Sequence, residues 1–70
     1  MKETVINSVY ELRKEKGVTQ EELAEAISVS RQTVVAIEKG NYIPSLLLGL
    51  KIAKFFKKRV DEIFKYKYEK

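Results

Sequence analysis

A chain of seventy residues has room for one domain, and at this size only about 60% of the unfolded surface is buried, so the core must be compact and made from few elements. With no Cys and no His, neither a disulfide framework nor a Cys/His zinc site supplements that core, which must rest on apolar packing and helix caps. The net charge of +4 is unevenly placed: residues 1–28 carry six acidic and four basic side chains, 29–60 carry seven basic and one acidic, and 61–70 carry three of each, as expected either of a face that meets a polyanion or of a basic solvated surface.

In chain order, TVI at Thr4 to Ile6 is extended in character, and the opening MKETVINS lacks the apolar h-region of a signal peptide. Asn7 or Ser8 caps a first helix of about residues 8–16, with Ser8 and Glu11 spaced as a capping box. Val9, Leu12 and Lys16 share one face of it, and Gly17 supplies a left-handed C-terminal position. Thr19 and Glu22 form a second capping box, ahead of a short helix with Leu23, Ala24 and Ile27 at the spacing of a buried stripe. Ser28 and Val29 break that helix. Ser30 then caps a third helix of about 31–39, with Val34 and Ile37 inward and Gly40 closing it.

In NYIPS, Pro44 turns Ile43 away from helical angles and Ser45 caps a fourth helix. Its inward residues are expected to be Leu46, Leu50, Ala53 and Phe56, which leaves Leu47 facing outward. A short fifth helix near Val60 to Phe64 buries Val60, Ile63 and Phe64. The alternation of Tyr and Lys from Lys65 to Glu69 suits a strand, with TVI as its partner, although a lone ribbon is marginal unless it packs on something. The apolar run from Leu46 to Leu50 is far short of the roughly 20 residues of a membrane span, so a soluble intracellular protein is expected.

About three residues join the second and third helices, which suits two helices that cross steeply. Ala24 lets them approach, and Leu23, Ile27, Val29, Val34 and Ile37 converge on one wedge. With LRKEKGVTQEELAEAISVSRQTVVAIEKG, IPSL and IAKFF…VDEIF in place, the sequence resembles the Xre-type, lambda-repressor-like helix-turn-helix regulators from about Asn7 to Phe64. That resemblance implies an all-α bundle of about five short helices, here with a small terminal β-ribbon added. The length allows a single domain over 1–70, with the helix-turn-helix unit at about 19–40.

The resemblance further implies that the third helix lies in the DNA major groove. In that setting Arg31 forks onto guanine O6 and N7 and Gln32 pairs with adenine N6 and N7, each discriminating by about 1–3 kcal/mol. Thr33 touches phosphate or a thymine methyl, and Val35 and Ala36 offer apolar contact to thymine methyls. Gln20 is similar to the family's phosphate-clamping residue, at a helix N-terminus that suits an anion. Lys39, Asn41 and Tyr42 would meet the backbone, with a packing role as the alternative for Tyr42. Lys51, Lys54, Lys57, Lys58 and Arg59 form a solvated basic face or an auxiliary phosphate contact. By the same resemblance, Arg13 and Glu38 are expected to pair across the first and third helices and to orient the latter without touching DNA.

Five positions depart from the family's habit. Ser28 stands where Gly is common, at a strain of about 1 kcal/mol. Val35 replaces a polar residue, Lys57 and Lys58 replace a glycine and an apolar residue, and Leu47 replaces a charge. The function expected is a sequence-specific regulator that binds double-stranded DNA as a homodimer of helices four and five and the tail, acting as a repressor in the cytoplasm at the nucleoid. The alternative is an antitoxin-like or other protein-interaction module, with a toxin as one partner. No enzyme, cofactor or metal is expected, since no Gly-rich phosphate loop is present and nothing converges on a catalytic set. Glu21, Glu22 and Glu25 are accounted for by the dipole of the second helix.

Overall fold

The computed structural model describes residues 2–70. The chain runs β1 (Lys2–Asn7), α1 (Val9–Lys16), α2 (Gln20–Ala26), α3 (Arg31–Glu38), α4 (Leu46–Phe56), α5 (Val60–Ile63) and β2 (Phe64–Glu69). The five helices make the bundle expected, and β1 and β2 pair antiparallel from Lys2↔Glu69 to Asn7↔Phe64, a longer ribbon than TVI alone suggests. The ribbon is not isolated. Its base is fastened by the Ser8 N–H donating to the Ile63 carbonyl at 3.1 Å, and Val5 and Phe64 are half-buried against the helices.

Helices this short are not stable alone, so their ends matter. Thr19 and Glu22 form the expected capping box on α2, and the Ser30 and Ser45 hydroxyls accept from the amides of Thr33 and Leu48. At α1 the expected box of Ser8 and Glu11 does not form. Ser8 has φ −116 and ψ 27, which turns its hydroxyl away from the capping position, and the Asn7 carboxamide oxygen accepts from the Val9 N–H at 3.0 Å instead.

The four longer helices all terminate in one way. In α1, α2, α3 and α4 the amides of Val18, Val29, Asn41 and Lys58 reach back to the carbonyls of Arg13, Ala24, Ala36 and Ala53, the six-to-one bond of a Schellman motif. The residue before each of these amides is left-handed: Gly17, Ser28, Gly40 and Lys57. Two glycines adopt this φ without steric cost, whereas Ser28 (φ 61) and Lys57 (φ 56) adopt it under strain.

The core is Val9, Leu23, Ala24, Ile27, Val34, Ile37, Leu48, Ile52, Ala53 and Ile63, all buried, with Val29, Val60 and Phe64 among the residues packed around it. Two expectations need correction. On α1 the residue buried beside Val9 is Arg13, while Lys16 is exposed. On α4 the inward stripe is Leu48, Gly49, Ile52 and Ala53; Leu46 and Leu50 are 73% and 51% exposed. The reason is the phase set by the second half of the helix: Lys51 and Lys54 must face water and Ile52 and Ala53 are buried between them, which by the helical pitch turns Leu48 and Gly49 inward and Leu46 and Leu50 out.

Replacing Ser28 or Lys57 by glycine should stabilise the fold by up to about 1 kcal/mol each, because relief of about 1–2 kcal/mol of left-handed strain exceeds the extra chain entropy of glycine, about 0.5–1 kcal/mol. Urea unfolding of Ser28→Gly and Lys57→Gly checks this, and a loss of stability in either would show that its left-handed geometry carries no strain.

Candidate nucleic-acid interface

Helix α3 is fixed by its inner face. Val34 and Ile37 are buried, so the 3.6-residue pitch turns Arg31, Gln32 and Lys39 outward, where all three are exposed. Thr33, Val35 and Ala36 are half-buried on the flanks. Ser30 organises the start of the helix: its hydroxyl accepts from the Thr33 N–H at 3.2 Å and also bonds the Thr33 hydroxyl at 3.1 Å. The loop after α3 folds back so that Tyr42, exposed and outside the core, shares a shallow depression of about 260 Å³ with Ser30, Gln32, Thr33 and Ala36. Lys39 and Asn41 are exposed beside this surface. The packing alternative for Tyr42 therefore finds no place in the buried core.

Arg31 has a partner that its sequence context does not suggest. Its Nε lies 3.4 Å from Oε2 of Glu21, with both side chains more than half exposed. Pairs of this kind contribute at most about 1 kcal/mol, so Arg31 exchanges partners readily. Glu21 was accounted for by the α2 dipole alone; its second role would have been legible only with the α2–α3 angle in hand.

Behind the exposed face lies a buried ionic junction. Arg13 Nε donates to Glu38 Oε2 at 2.6 Å and Nη2 donates to Oε1 at 3.2 Å, while Nη1 donates to the Val18 carbonyl at 2.9 Å. The two side chains are only 9% and 5% exposed. Donation of these hydrogen bonds to Glu38 raises the Arg13 guanidinium above its ordinary pKa, against the opposing effect of burial, so the arginine stays charged across any working pH. Gln20 joins this junction: its Nε2 donates to Glu38 Oε1 at 3.1 Å. The expected clamp residue is thus held at the start of α2, half-buried, with one amide hydrogen committed to Glu38. Asn7 adds a further tie, donating through Nδ2 to the Ile37 carbonyl at 3.0 Å. Among the described residues no buried side-chain polar atom lacks a partner, and no helix is long and apolar enough to cross a membrane.

The profile of the helix-turn-helix family matches residues 9–63. The chain is 55% identical over 58 residues to the uncharacterized HTH-type transcriptional regulator YgzD of Bacillus subtilis, covering 83% of this chain and 88% of that protein. It is 37% identical over 57 residues to the cryptic phage CTXphi transcriptional repressor RstR of Vibrio cholerae, covering 81% of this chain and 51% of that one. Among solved structures, the restriction-modification controller protein C.AhdI of Aeromonas hydrophila superposes with a TM-score of 0.72 at 35% identity, over 77% of this chain and 82% of that chain.

The buried junction makes a direct prediction. Glu38→Ala leaves the Arg13 charge desolvated and unpaired and should cost about 3–5 kcal/mol, whereas the double change Arg13→Met with Glu38→Leu should cost far less. Chemical denaturation of the two singles and the double measures the coupling, and additive losses would show that the pair is not a unit.

Proposed function

Because the chain belongs to the helix-turn-helix family of Xre-type, lambda-repressor-like transcriptional regulators, we propose that it is a sequence-specific repressor that binds double-stranded DNA as a homodimer. The observation that carries this reading is the exposed N-terminal half of α3, where Arg31 and Gln32 stand free of the core beside a depression shared with Thr33, Ala36 and Tyr42. In the docking mode of the phage repressors the second helix of the unit enters the major groove by this end. Arg31 and Gln32 then read guanine and adenine edges, and Val35 and Ala36 contact thymine methyls. Gln20, Thr33, Lys39, Asn41 and Tyr42 hold the phosphates that set the register.

One unit reads few base pairs, so two copies on half-sites about 34 Å apart supply the specificity. The single domain spans 1–70, with its DNA-reading unit at about 19–40, and works at the nucleoid in the cytoplasm. The name of the Vibrio cholerae relative, a transcriptional repressor, supports repression by occupancy of a promoter. No catalytic chemistry is assigned to the chain.

Selection from a randomised duplex library at two salt concentrations tests the reading. The wild type should enrich a two-fold symmetric motif. Arg31→Ala and Gln32→Ala should each lose about 1–3 kcal/mol, roughly 5- to 150-fold, and relax the motif at their own positions. Lys39→Gln should weaken binding to all sequences alike and lower the salt slope by about 1. Motif-free binding that is indifferent to Arg31 and Gln32 would refute the proposal.

A further inference from the structure

Among the residues assigned to phosphates, Gln20 reaches back into the buried junction. Its Nε2 donates to Glu38 Oε1 at 3.1 Å. Glu38 is in turn held at both oxygens by Arg13, with Nε on Oε2 at 2.6 Å and Nη2 on Oε1 at 3.2 Å. A guanidinium only donates, so both oxygens of Glu38 act as acceptors, and an acceptor is all that Glu38 offers Gln20.

That restriction decides how Gln20 lies. A glutamine carboxamide donates at one end and accepts at the other, and the two ends are so alike in size that a free one turns over readily. Against an acceptor-only carboxylate it has one orientation, amino end inward. The amino group carries two hydrogens, and Glu38 takes one of them. A phosphate likewise offers acceptor oxygens. The second hydrogen therefore suits it, whereas the carbonyl end of a turned carboxamide would repel it.

We infer that Glu38 is the positioning residue of the phosphate clamp: it holds the Gln20 carboxamide amino end first, so that Nε2 bridges the buried carboxylate and a DNA phosphate. The inference deepens the DNA-binding reading of this surface and rests on it. Three features of the junction suit the role. The Glu38 side chain is 5% exposed and held at both oxygens, so it does not swing away with Gln20. Arg13 neutralises it, so a carboxylate can stand behind the clamp without driving a phosphate off. Glu38 closes α3 and Gln20 opens α2. One hydrogen bond thus ties the phosphate contact that sets the register to the helix that carries Arg31 and Gln32.

Methylphosphonate scanning tests the assignment. Duplexes of the selected motif carry one methylphosphonate, which is neutral and lacks one acceptor oxygen, at each half-site phosphate in turn. At one position, the clamp phosphate, the wild type should lose about tenfold or more in affinity, the worth of a hydrogen bond to a charged group, and Gln20→Ala should abolish that loss. Arg13→Met with Glu38→Leu removes the carboxylate and its cation together and should keep the fold, which circular dichroism at the binding temperature checks. In this double variant the loss at the clamp phosphate should also disappear, while the losses at phosphates held by Lys39 stay as in the wild type. Glu38→Gln, which keeps the shape but replaces one acceptor by a donor, should give the same pattern. A carboxylate that only braces the fold would lower binding to every duplex by one factor and leave the clamp loss in place, and that result would overturn the inference. So would a scan in which no loss depends on Gln20. In both cases a motif that Arg31→Ala and Gln32→Ala still relax leaves the DNA-binding reading standing, whereas motif-free binding removes that reading before any scan begins.

Discussion

The junction of Arg13 with Glu38 is the constraint on which the rest of the molecule depends. Apolar burial is non-directional, so Val34 and Ile37 set how deep α3 sits without alone fixing its rotation. The forked pair supplies direction. Arg13 is committed through Nε and Nη2 to α3 and through Nη1 to the turn before α2, and a bidentate guanidinium–carboxylate pair tolerates little change of angle. Glu38 is the last residue of α3 and also accepts from Gln20 at the first position of α2. Three helices are thereby held at one point, opposite the end of α3 that faces solvent.

Termination of the helices is the second organising rule. Four Schellman ends reverse the chain within a few residues, which is how five helices and a ribbon fit into seventy residues. That two of these ends use serine and lysine shows tertiary packing overriding local preference: Val29 and Lys58 must return to the carbonyls of Ala24 and Ala53 whatever residue stands between. The ribbon follows similar logic. A two-stranded sheet is marginal alone, and here Phe64 leaves α5 directly into β2 and packs against the core.

Much of this was legible in the sequence, because caps and left-handed residues act over three or four positions. Thr19, Ser30 and Ser45 behave as their spacing implies, and the stripe of Leu23, Ala24 and Ile27 is buried. The phase of α4 was not legible from its first turn. In LLLGL nearly every position is apolar, so periodicity has no contrast to work with, and a glycine does not advertise itself as an inward residue. The contrast lies further along, where exposed Lys51 and Lys54 bracket the buried pair Ile52 and Ala53; read backwards by turns, that phase places Leu48 and Gly49 inside. At the candidate site, exposure of Arg31 and Gln32 followed from the buried stripe of α3. The partners Glu21 and Glu38 for Arg31 and Gln20 did not, because they depend on how α2 and α3 cross.

Two arginines in this small fold show how burial assigns opposite roles to one chemistry. Arg13 and its carboxylate are nearly out of water and 2.6 Å apart, so separating them would strand a charge in a medium that solvates it poorly. Arg31 and Glu21 meet at 3.4 Å with both side chains more than half exposed, where screening leaves little to lose on parting. The first pair can serve only as a strut. The second leaves its guanidinium available to an acceptor that meets both arms of the fork, as a phosphate and a guanine edge both can, and the exposed Glu21 sets the competition that such an acceptor must win.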